Sequence, residues 1–291
     1  MKNSADKVEF KRYDDLFGST AGADIRAMGI RTVKLEELYE FHGHPFKVIE
    51  DESMLELVES VKERGVLVPG LVRARNGDGY EVIAGHRRKY ASILAGKDTM
   101  QVICQNLTDD DATIIMVDSN IQRENLLPSE KAFAYQMKMK ALKHQGKKGM
   151  GTAQKVGEKA GDKARTVQRY IRLTYLESEL LEAVDHRKIA FIAGADLSFL
   201  KKNEQKWVSE NVKQTHKYPN GSMAIQLKEY SERGKLTKEL AELILMGTEK
   251  RNMRIVIKNE QIREYFPESY DQTEIEKIIF SLLRKWKAKG E

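Results

Sequence analysis

The chain has 291 residues, a net charge of +6 and a single cysteine, and 41% of its residues are hydrophobic while 32% are charged. This length allows two or three domains with buried cores, and the positive charge favours a polyanionic partner. One cysteine excludes a disulfide framework and favours a reducing compartment. No apolar run is long enough to cross a bilayer and no signal peptide is recognisable, so we expect a cytoplasmic protein without a membrane partner.

The first 30 residues are polar, with scattered glycines and serines. A segment of this composition has too little apolar surface to order itself, which predicts a flexible tail over residues 1–30. Tyr13–Phe17 (YDDLF) forms a small apolar island within the tail. We interpret it either as a docking peptide or as a segment without a role.

Residues 31–118 contain short apolar runs and amphipathic stretches, a pattern that predicts a small α/β domain. Strands are predicted at Arg31–Leu35, Val66–Arg75, Tyr80–Ala84 and Met100–Cys104. One helix is predicted to open at a capping box of Ser53 and Glu56 and to end at Gly65. Its buried face is predicted to carry Met54, Leu55, Val58 and Val61. Another helix is predicted to open at Thr108 and Asp109–Asp111.

The stretch Tyr80–Gly96 (YEVIAGHRRKYASILAG) predicts an anion-binding site. A strand runs into a glycine and then into a helix, whose first N–H groups have no intrahelical partner. The helix dipole favours negative charge there, and Arg87 and Arg88 add planar donors suited to phosphate oxygens. The alternative is a surface helix that begins with two solvated arginines.

A second polar segment, Ser119–Leu126 (SNIQRENL), precedes a helix that is predicted to run from Pro128 to about Gln145. Asn120 and Arg123 are three residues apart and share a face if the segment is helical. They would then contact phosphate from the side opposite the arginine pair. The alternative is a helix–helix junction with ordinary polar residues.

Residues 153–173 (AQKVGEKAGDKARTVQRYIRL) have the pattern of a helix-turn-helix. Gly157 allows the two helices to cross closely, and Gly161 is predicted to make the turn. The inner side of the second helix is predicted to carry Val167, Tyr170, Ile171 and Leu173. Its outer side is predicted to carry Lys163, Arg165, Thr166, Gln168, Arg169 and Arg172.

This outer side predicts DNA recognition, because arginine pairs with guanine edges and glutamine with adenine. The preceding basic linker, Lys143–Thr152, adds Lys147 and Lys148 as phosphate contacts. The alternative is a pair of packed helices with a solvated face.

Residues 174–247 continue as helices, and residues 248–291 predict a separate small module. The module is predicted to contain a strand at Met253–Ile257 and a helix capped by Asp271 and Glu274. The apolar stripe of that helix consists of Ile275, Ile278, Ile279, Leu282, Leu283 and Trp286. So small a unit can hardly bury this stripe internally. We therefore expect self-association, with packing onto the middle domain as the alternative.

Taken together, these stretches resemble the ParB family of DNA-partition proteins. The motifs that carry the resemblance are GVLVPGLVRAR (65–75), YEVIAGHRRKYASILAG (80–96), SNIQREN and LPSEKAFAY (119–135) and the helix-turn-helix. The resemblance implies an α+β, mostly α protein. Its parts would be a ParB/sulfiredoxin-like domain at 31–118, a helical helix-turn-helix domain at 119–247 and a dimerisation module at 248–291. The last module looks more like that of variants on plasmids and integrative elements.

The resemblance also implies a homodimeric clamp that binds CTP, recognises a palindromic centromere-like site on double-stranded DNA, and then closes and slides. The implied phosphate-binding residues are Gly85, His86, Arg87, Arg88, Asn120 and Arg123, with Asn120 also at a Mg²⁺ ion. The wall beside the cytosine would fall near Gly65–Pro69. The N-terminal tail would contact a ParA-type ATPase, and the protein would lie on the nucleoid or a plasmid.

Two departures from the family pattern bear on the chemistry. The family usually has glutamates at the positions of His86 and Ser119. Magnesium prefers carboxylate oxygens, and water attacking a phosphate needs a positioned base, so we expect nucleotide binding with weak or absent hydrolysis. Asp118, one residue out of register, is a candidate substitute. His44–Lys47 replaces a usual Gln-Pro-Arg, which leaves the nucleotide selectivity open.

Other functions remain to be weighed. The second hypothesis is a nucleotide-independent helix-turn-helix repressor. Sulfiredoxin chemistry requires a cysteine in the phosphate turn, and the single cysteine here is Cys104, which lies elsewhere. A nuclease or kinase would need clustered acidic residues near Arg87, for which Glu50–Glu52 is the candidate. The six histidines show no metal-ligand spacing.

Overall fold

The chain divides into two structural units in a computed structural model, Met1–Met246 and Gly247–Glu291. The structure describes residues 29–75, 77–123, 125–146, 150–247, 265–267 and 269–288. Several sequence predictions lie outside these residues. They are the tail over residues 1–28 with its Tyr13–Phe17 island, the linker residues Lys147 and Lys148, and the strand Met253–Ile257.

A five-stranded mixed sheet forms the N-terminal part of the first unit. Its strands are β1 (Arg31–Lys34), β2 (Leu38–Tyr39), β3 (Gly70–Ala74), β4 (Tyr80–Ala84) and β5 (Thr99–Cys104). The spatial order is β1-β5-β3-β4-β2. The β1/β5 and β3/β4 pairs are antiparallel, and the β3/β5 and β2/β4 pairs are parallel.

The strand predicted at Val66–Arg75 begins later, at Gly70. The residues before it form a loop in which the carbonyls of Val68 and Pro69 accept hydrogen bonds from Arg88. Proline also has no N–H to donate to a ladder. A side chain from outside the segment therefore holds this loop, and the segment's apolar composition could not reveal that.

The helices of this part are α1 (Glu52–Arg64), α2 (His86–Leu94), α3 (Asp109–Asn120) and α4 (Pro128–His144), and a 3₁₀ turn spans Leu35–Glu37. The predicted cap of α1 was wrong: Asp51, not Ser53, accepts from the Met54 N–H, and the Ser53 hydroxyl donates to Asp51. Leu55 was also wrongly placed, because it is 64% exposed. The predictions for Gly65 as C-cap and Thr108 as N-cap are confirmed.

The rest of the first unit is helical. Its helices are α5 (Met150–Gly157), α6 (Ala164–Leu173), α7 (Ser178–Asp185), α8 (Phe191–Leu197), α9 (Lys202–Thr215), α10 (Gly221–Glu232) and α11 (Lys238–Met246), with a 3₁₀ turn at Glu158–Ala160. Gly161 has a φ of 71° and makes the turn between α5 and α6. A small sheet with many helices is the α+β, mostly α fold that the sequence predicted.

Two large cores hold the first unit together. One combines sheet residues such as Ile83 with Met116, Tyr135 and Val167 from successive helices. The other is built mainly from α6 to α11, includes Leu173, and also takes in Ala132 of α4. The first core draws side chains from both sides of the predicted boundary at residue 118, so that boundary stays a prediction.

The described part of the second unit contains α12 (Gln272–Ala288). Its predicted capping box is confirmed, because the Glu274 N–H donates to Asp271 Oδ1 at 2.8 Å and the Asp271 N–H donates to Glu274 Oε2 at 3.1 Å. Ile275 is buried, whereas Leu282, Leu283 and Trp286 are each more than half exposed. Over the residues that the structure describes, no helix is long and apolar enough to cross a bilayer.

Candidate functional site

The turn between β4 and α2 has the geometry that the sequence predicted for an anion site. Gly85 has a φ of 112°, which non-glycine residues rarely adopt. A Cβ on Gly85 would also lie 3.1 Å from the Cα of Gly70 on the neighbouring strand. Glycine is therefore required here, and the first N–H groups of α2 follow immediately after it.

The two arginines of this turn have different partners. Arg87 donates through Nη2 to Asp51 Oδ1 at 3.1 Å and to Ser53 Oγ at 2.6 Å. Hydrogen bonds from Ser53 and Arg87 lower the pKa of Asp51 to about 2. Arg88 instead donates through Nη1 to two loop carbonyls, as described above. The Arg87 side chain therefore contacts the start of α1. The Arg88 side chain instead holds the loop Gly65–Pro69, which the resemblance places beside the cytosine.

Arg123 joins Arg87 at one cavity of about 370 Å³. Burial, and then the charge of Arg87, lower the pKa of Arg123. Two guanidinium groups that repel each other in a concave site favour an anionic ligand, and the volume falls in the range of ligand pockets, roughly 300–1,000 Å³. The cavity, hereafter the anion pocket, is lined by Lys47, Ile49, Asp51, Ser53, Arg87, Arg123, Asn125, Leu126 and Glu130.

Asn120 is buried and does not line this pocket. It is 4% exposed, and its Nδ2 donates to the Met116 carbonyl at 2.8 Å and to Ser119 Oγ at 3.1 Å. Its amide nitrogen is therefore committed to α3. The phosphate and metal roles of Asn120 stay predictions from the resemblance.

Sequence reasoning missed Glu130, a buried carboxylate on the wall of the anion pocket. Its Oε1 accepts from the Lys47 N–H at 2.8 Å and its Oε2 from the Leu127 N–H at 2.9 Å. One side chain therefore joins the start of α4 to the loop before α1. A glutamate three positions into a helix is the local signal of a capping box, but its second bond spans 83 residues.

His86 is buried and does not line the anion pocket. Its ring lies 3.9 Å from the ring of His44, centroid to centroid. Burial, followed by the charges of His44, Lys89 and Arg123, lowers the pKa of His86 to about 3. Burial also lowers the pKa of His44. Both rings are neutral near pH 7.

The donor set does not fit a magnesium ion held by the protein. Among the described residues, no group of three or more histidine, cysteine or acidic side chains is arranged to hold a metal. Asp118, the candidate substitute, accepts a hydrogen bond from the buried Lys138. Neutral imidazole and amide groups are poor ligands for Mg²⁺, so the side chains of His86 and Asn120 would not hold this ion.

The helix-turn-helix presents the predicted reading side to solvent. Val167 and Leu173 are fully buried under α6. Lys163, Arg165 and Gln168 are exposed, and Thr166, Arg169 and Arg172 are partly exposed. Four of the six, Arg165, Gln168, Arg169 and Arg172, border a groove of about 540 Å³ together with Lys143, Tyr175, Phe199 and Lys228, whereas Lys163 and Thr166 do not line it.

Arg172 differs from the other predicted readers. Its Nε donates to Ser198 Oγ at 3.1 Å and its Nη2 to the Ser198 carbonyl at 2.7 Å. Its guanidinium carbon lies 3.9 Å from the ring centroid of Phe199 and 4.9 Å from that of Tyr175. These contacts hold α6 against α8, so the DNA contact of Arg172 stays a prediction while its packing role is visible.

The family described as the ParB N-terminal domain matches residues 19–121. The chain is 41% identical over 161 residues to the probable chromosome 1-partitioning protein ParB of Deinococcus radiodurans, covering 55% of this chain and 53% of the relative. It is 36% identical over 179 residues to the chromosome-partitioning protein Spo0J of Thermus thermophilus, covering 62% and 63%.

A solved structure of a C-terminally truncated ParB from Caulobacter crescentus, complexed to the centromeric parS site, also aligns with the chain. It covers 74% of this chain and 98% of its own, with 21% identity and a TM-score of 0.43. The alignments with the two curated relatives named above, by contrast, span only between half and two thirds of those proteins' length.

Proposed function

Because this chain belongs to the ParB family, we propose that it is a sequence-specific DNA-binding partition protein. It binds a palindromic, centromere-like site as a dimeric, CTP-dependent clamp, and supports segregation of a chromosome, plasmid or integrative element. The observation that carries the proposal is the outer side of α6. There, exposed Lys163, Arg165 and Gln168 stand on a helix whose opposite side is fixed in the core.

The chemistry of that side supports base reading. Arginine and glutamine each make paired hydrogen bonds to base edges in the major groove, and a rigid helix end is the element that a helix-turn-helix inserts there. Lys143 borders the same groove and adds positive charge for phosphates, whereas the Lys228 ammonium is paired there with Asp196 at 3.0 Å. Lys147 and Lys148, which lie outside the described residues, extend the proposed phosphate contacts.

The anion pocket supports the nucleotide part of the proposal. In the lining of this pocket the cations Lys47, Arg87 and Arg123 outnumber the carboxylates Asp51 and Glu130, and this positive excess suits a triphosphate. The loop held by Arg88 gives the base its wall. CTP is the nucleotide that the family resemblance implies, and a bound nucleotide would carry its own Mg²⁺ on its phosphate oxygens.

Hydrolysis is proposed to be weak or absent. A base for water attack has to be positioned at the phosphate, and the imidazole of His86 is buried and does not line the pocket. Purified protein incubated with CTP and its DNA site should release phosphate no faster than without DNA. A robust DNA-stimulated rate that is lost in His86→Gln would overturn this part of the proposal.

The exposed apolar side of α12 supports the dimer. Leu282, Leu283 and Trp286 are more than half exposed on a helix that also carries the exposed Phe280, and a contiguous apolar surface of this kind marks an interaction site. A ParA-type ATPase as partner of the N-terminal tail, and a location on the nucleoid or a plasmid, complete the proposal.

The decisive experiment compares this clamp with a nucleotide-independent repressor. Duplexes selected from a random library by the purified protein define its site, and the complex is then followed on that site between blocked DNA ends, with CTP or without nucleotide. A clamp accumulates beyond the site when CTP is present. Equal binding in both conditions, confined to the site, favours the repressor.

Calorimetry with Mg²⁺ tests the pocket directly. We expect CTP to bind in preference to ATP and GTP, and Arg87→Ala to lose that binding. Arg64→Ala, an exposed arginine on α1, serves as the matched control. If no nucleotide binds the wild type, the helix-turn-helix remains as a DNA binder and the repressor hypothesis moves ahead.

A further inference from the structure

Two buried imidazole nitrogens make no hydrogen bond within the part of the chain that the structure describes. Nε2 of His44 and Nε2 of His86 have no hydrogen-bond partner among the described residues. The Nδ1 of His44 is 2.8 Å from the Phe46 carbonyl, and since a carbonyl only accepts, that nitrogen carries the proton. Its Nε2 is therefore a bare lone pair. Leaving such an atom buried costs free energy, and exceptions of this kind point to a use.

The charges that face His86 come from two directions. Lys89, on its own helix, and Arg123, after α3, both disfavour its protonation. Glu40 lies near His86 and Lys89, with Oε2 3.5 Å from His86 Nε2 and Oε1 3.1 Å from Lys89 Nζ. A proton on His86 Nε2 would therefore meet a carboxylate already in place.

The charges that face His44 include the same arginine. Glu40 and Glu130 favour protonation of His44, and Arg123 opposes it. Arg123 also lines the anion pocket, and its guanidinium carbon is 5.9 Å from the ring centroid of Phe46. One cation thus acts on the pocket and on both imidazoles.

We propose that the His44–His86 pair is a proton-accepting subsite of the nucleotide pocket, which takes up a proton from solvent when a polyphosphate binds at Arg123. Burial is the main reason that the pair is neutral, and Arg123 adds to it; the phosphate charge offsets the part due to Arg123, and the new N–H of His86 forms a charge-assisted hydrogen bond to Glu40. The proton then adds positive charge where the protein's own side chains do not fit Mg²⁺. This inference rests on the proposed nucleotide site.

Proton uptake is measured by titrating CTP into the full chain, with Mg²⁺ present, in buffers of different ionisation enthalpy. The titrations are made at about pH 6, near the ordinary pKa of histidine. The variants are His86→Gln and His44→Gln, with His186→Gln, which changes an exposed histidine, as the control. Because the phosphates of CTP titrate in every sample, their protons cancel when variants are compared.

The wild type and His186→Gln should take up more protons per CTP than His86→Gln or His44→Gln. Their affinity should also weaken more steeply with rising pH, by at most about tenfold per pH unit for one linked proton. Should His86→Gln fail to fold, His44→Gln gives the same comparison. Equal proton uptake in all four proteins overturns the inference and leaves the nucleotide site standing. Binding of neither CTP nor inorganic tripolyphosphate overturns both.

Discussion

The Tyr135 hydroxyl donates to Asp162 Oδ2 at 2.6 Å. Tyr135 is fully buried on α4, and Asp162 lies in the turn that leads into α6. Lys131, one helical turn before Tyr135, contacts the same carboxylate oxygen at 2.7 Å. The turn of the helix-turn-helix is thus fixed to the long helix of the core, which sets the direction of the DNA-reading side.

Tyr135→Phe should destabilise the first unit by about 1.5–3 kcal/mol, the usual contribution of a hydrogen bond to a charged group. Asp162 keeps its contact with Lys131, so we expect the fold to survive. The free energy of unfolding in urea measures the loss, with the more exposed Tyr230→Phe as control. DNA affinity should decrease together with the free energy of unfolding. An unchanged urea midpoint would mean that the hydrogen bond from Tyr135 to Asp162 does not stabilise the fold.

Gly157→Ala should disrupt the crossing of α5 and α6. A Cβ on Gly157 would lie 2.3 Å from the Asp162 carbonyl oxygen and 2.7 Å from Val167 Cγ2, and the first of these atoms is backbone. We expect the free energy of unfolding to fall by about 1–3 kcal/mol because of overpacking. DNA affinity should fall as well, because the crossing positions α6. Urea unfolding and DNA-binding curves of the purified variant measure the two effects.

Gly151→Ala is the matched control for that substitution. Gly151 is exposed in the same helix, and a Cβ there would meet nothing within 4 Å. Alanine should stabilise the helix by about 0.5–1 kcal/mol through its higher propensity. If Gly157→Ala were stabilised as much as Gly151→Ala, the close contacts at Gly157 would carry no cost.

Local signals predicted local structure well. Asp271 and Glu274, or Thr108 before α3, are caps because of residues within one turn, and the sequence shows such patterns directly. The choice between Ser53 and Asp51 failed because both are favoured cap residues, and the contacts of both with Arg87 come from a distant part of the chain. The same holds for the stacking of His44 on His86, which joins segments that no periodicity relates.

Arg165→Ala and Gln168→Ala should relax sequence specificity, by about 1–3 kcal/mol for each lost base contact. Both side chains are exposed and free to meet base edges. Binding curves on the selected site and on random DNA, at one salt concentration, measure the difference. Equal weakening on both DNAs would contradict the base-reading assignment.

Arg172→Ala should behave differently from those two variants. Its guanidinium holds Ser198 and stacks on Phe199, so we expect reduced thermal stability and weaker binding to every DNA. Arg172→Lys, which keeps the charge but loses the planar donor, should recover little. A variant of normal stability with altered specificity would instead make Arg172 a reader.

Acid should destabilise the first unit through His86. The folded state holds this imidazole neutral, with a pKa of about 3, whereas the unfolded chain protonates it near 6.5. The unfolded state therefore binds more protons below that value, and stability falls as the pH falls from 6.5 towards 3. At pH 5 the cost in free energy of unfolding is about 2 kcal/mol for this group, and His44 adds to it in the same direction.

Urea unfolding of the wild type at pH 7 and pH 5 measures this loss of stability. His86→Gln should reduce the loss, and His186→Gln should leave it unchanged. An equal loss in the wild type and His86→Gln would show that the buried ring is protonated in the folded state.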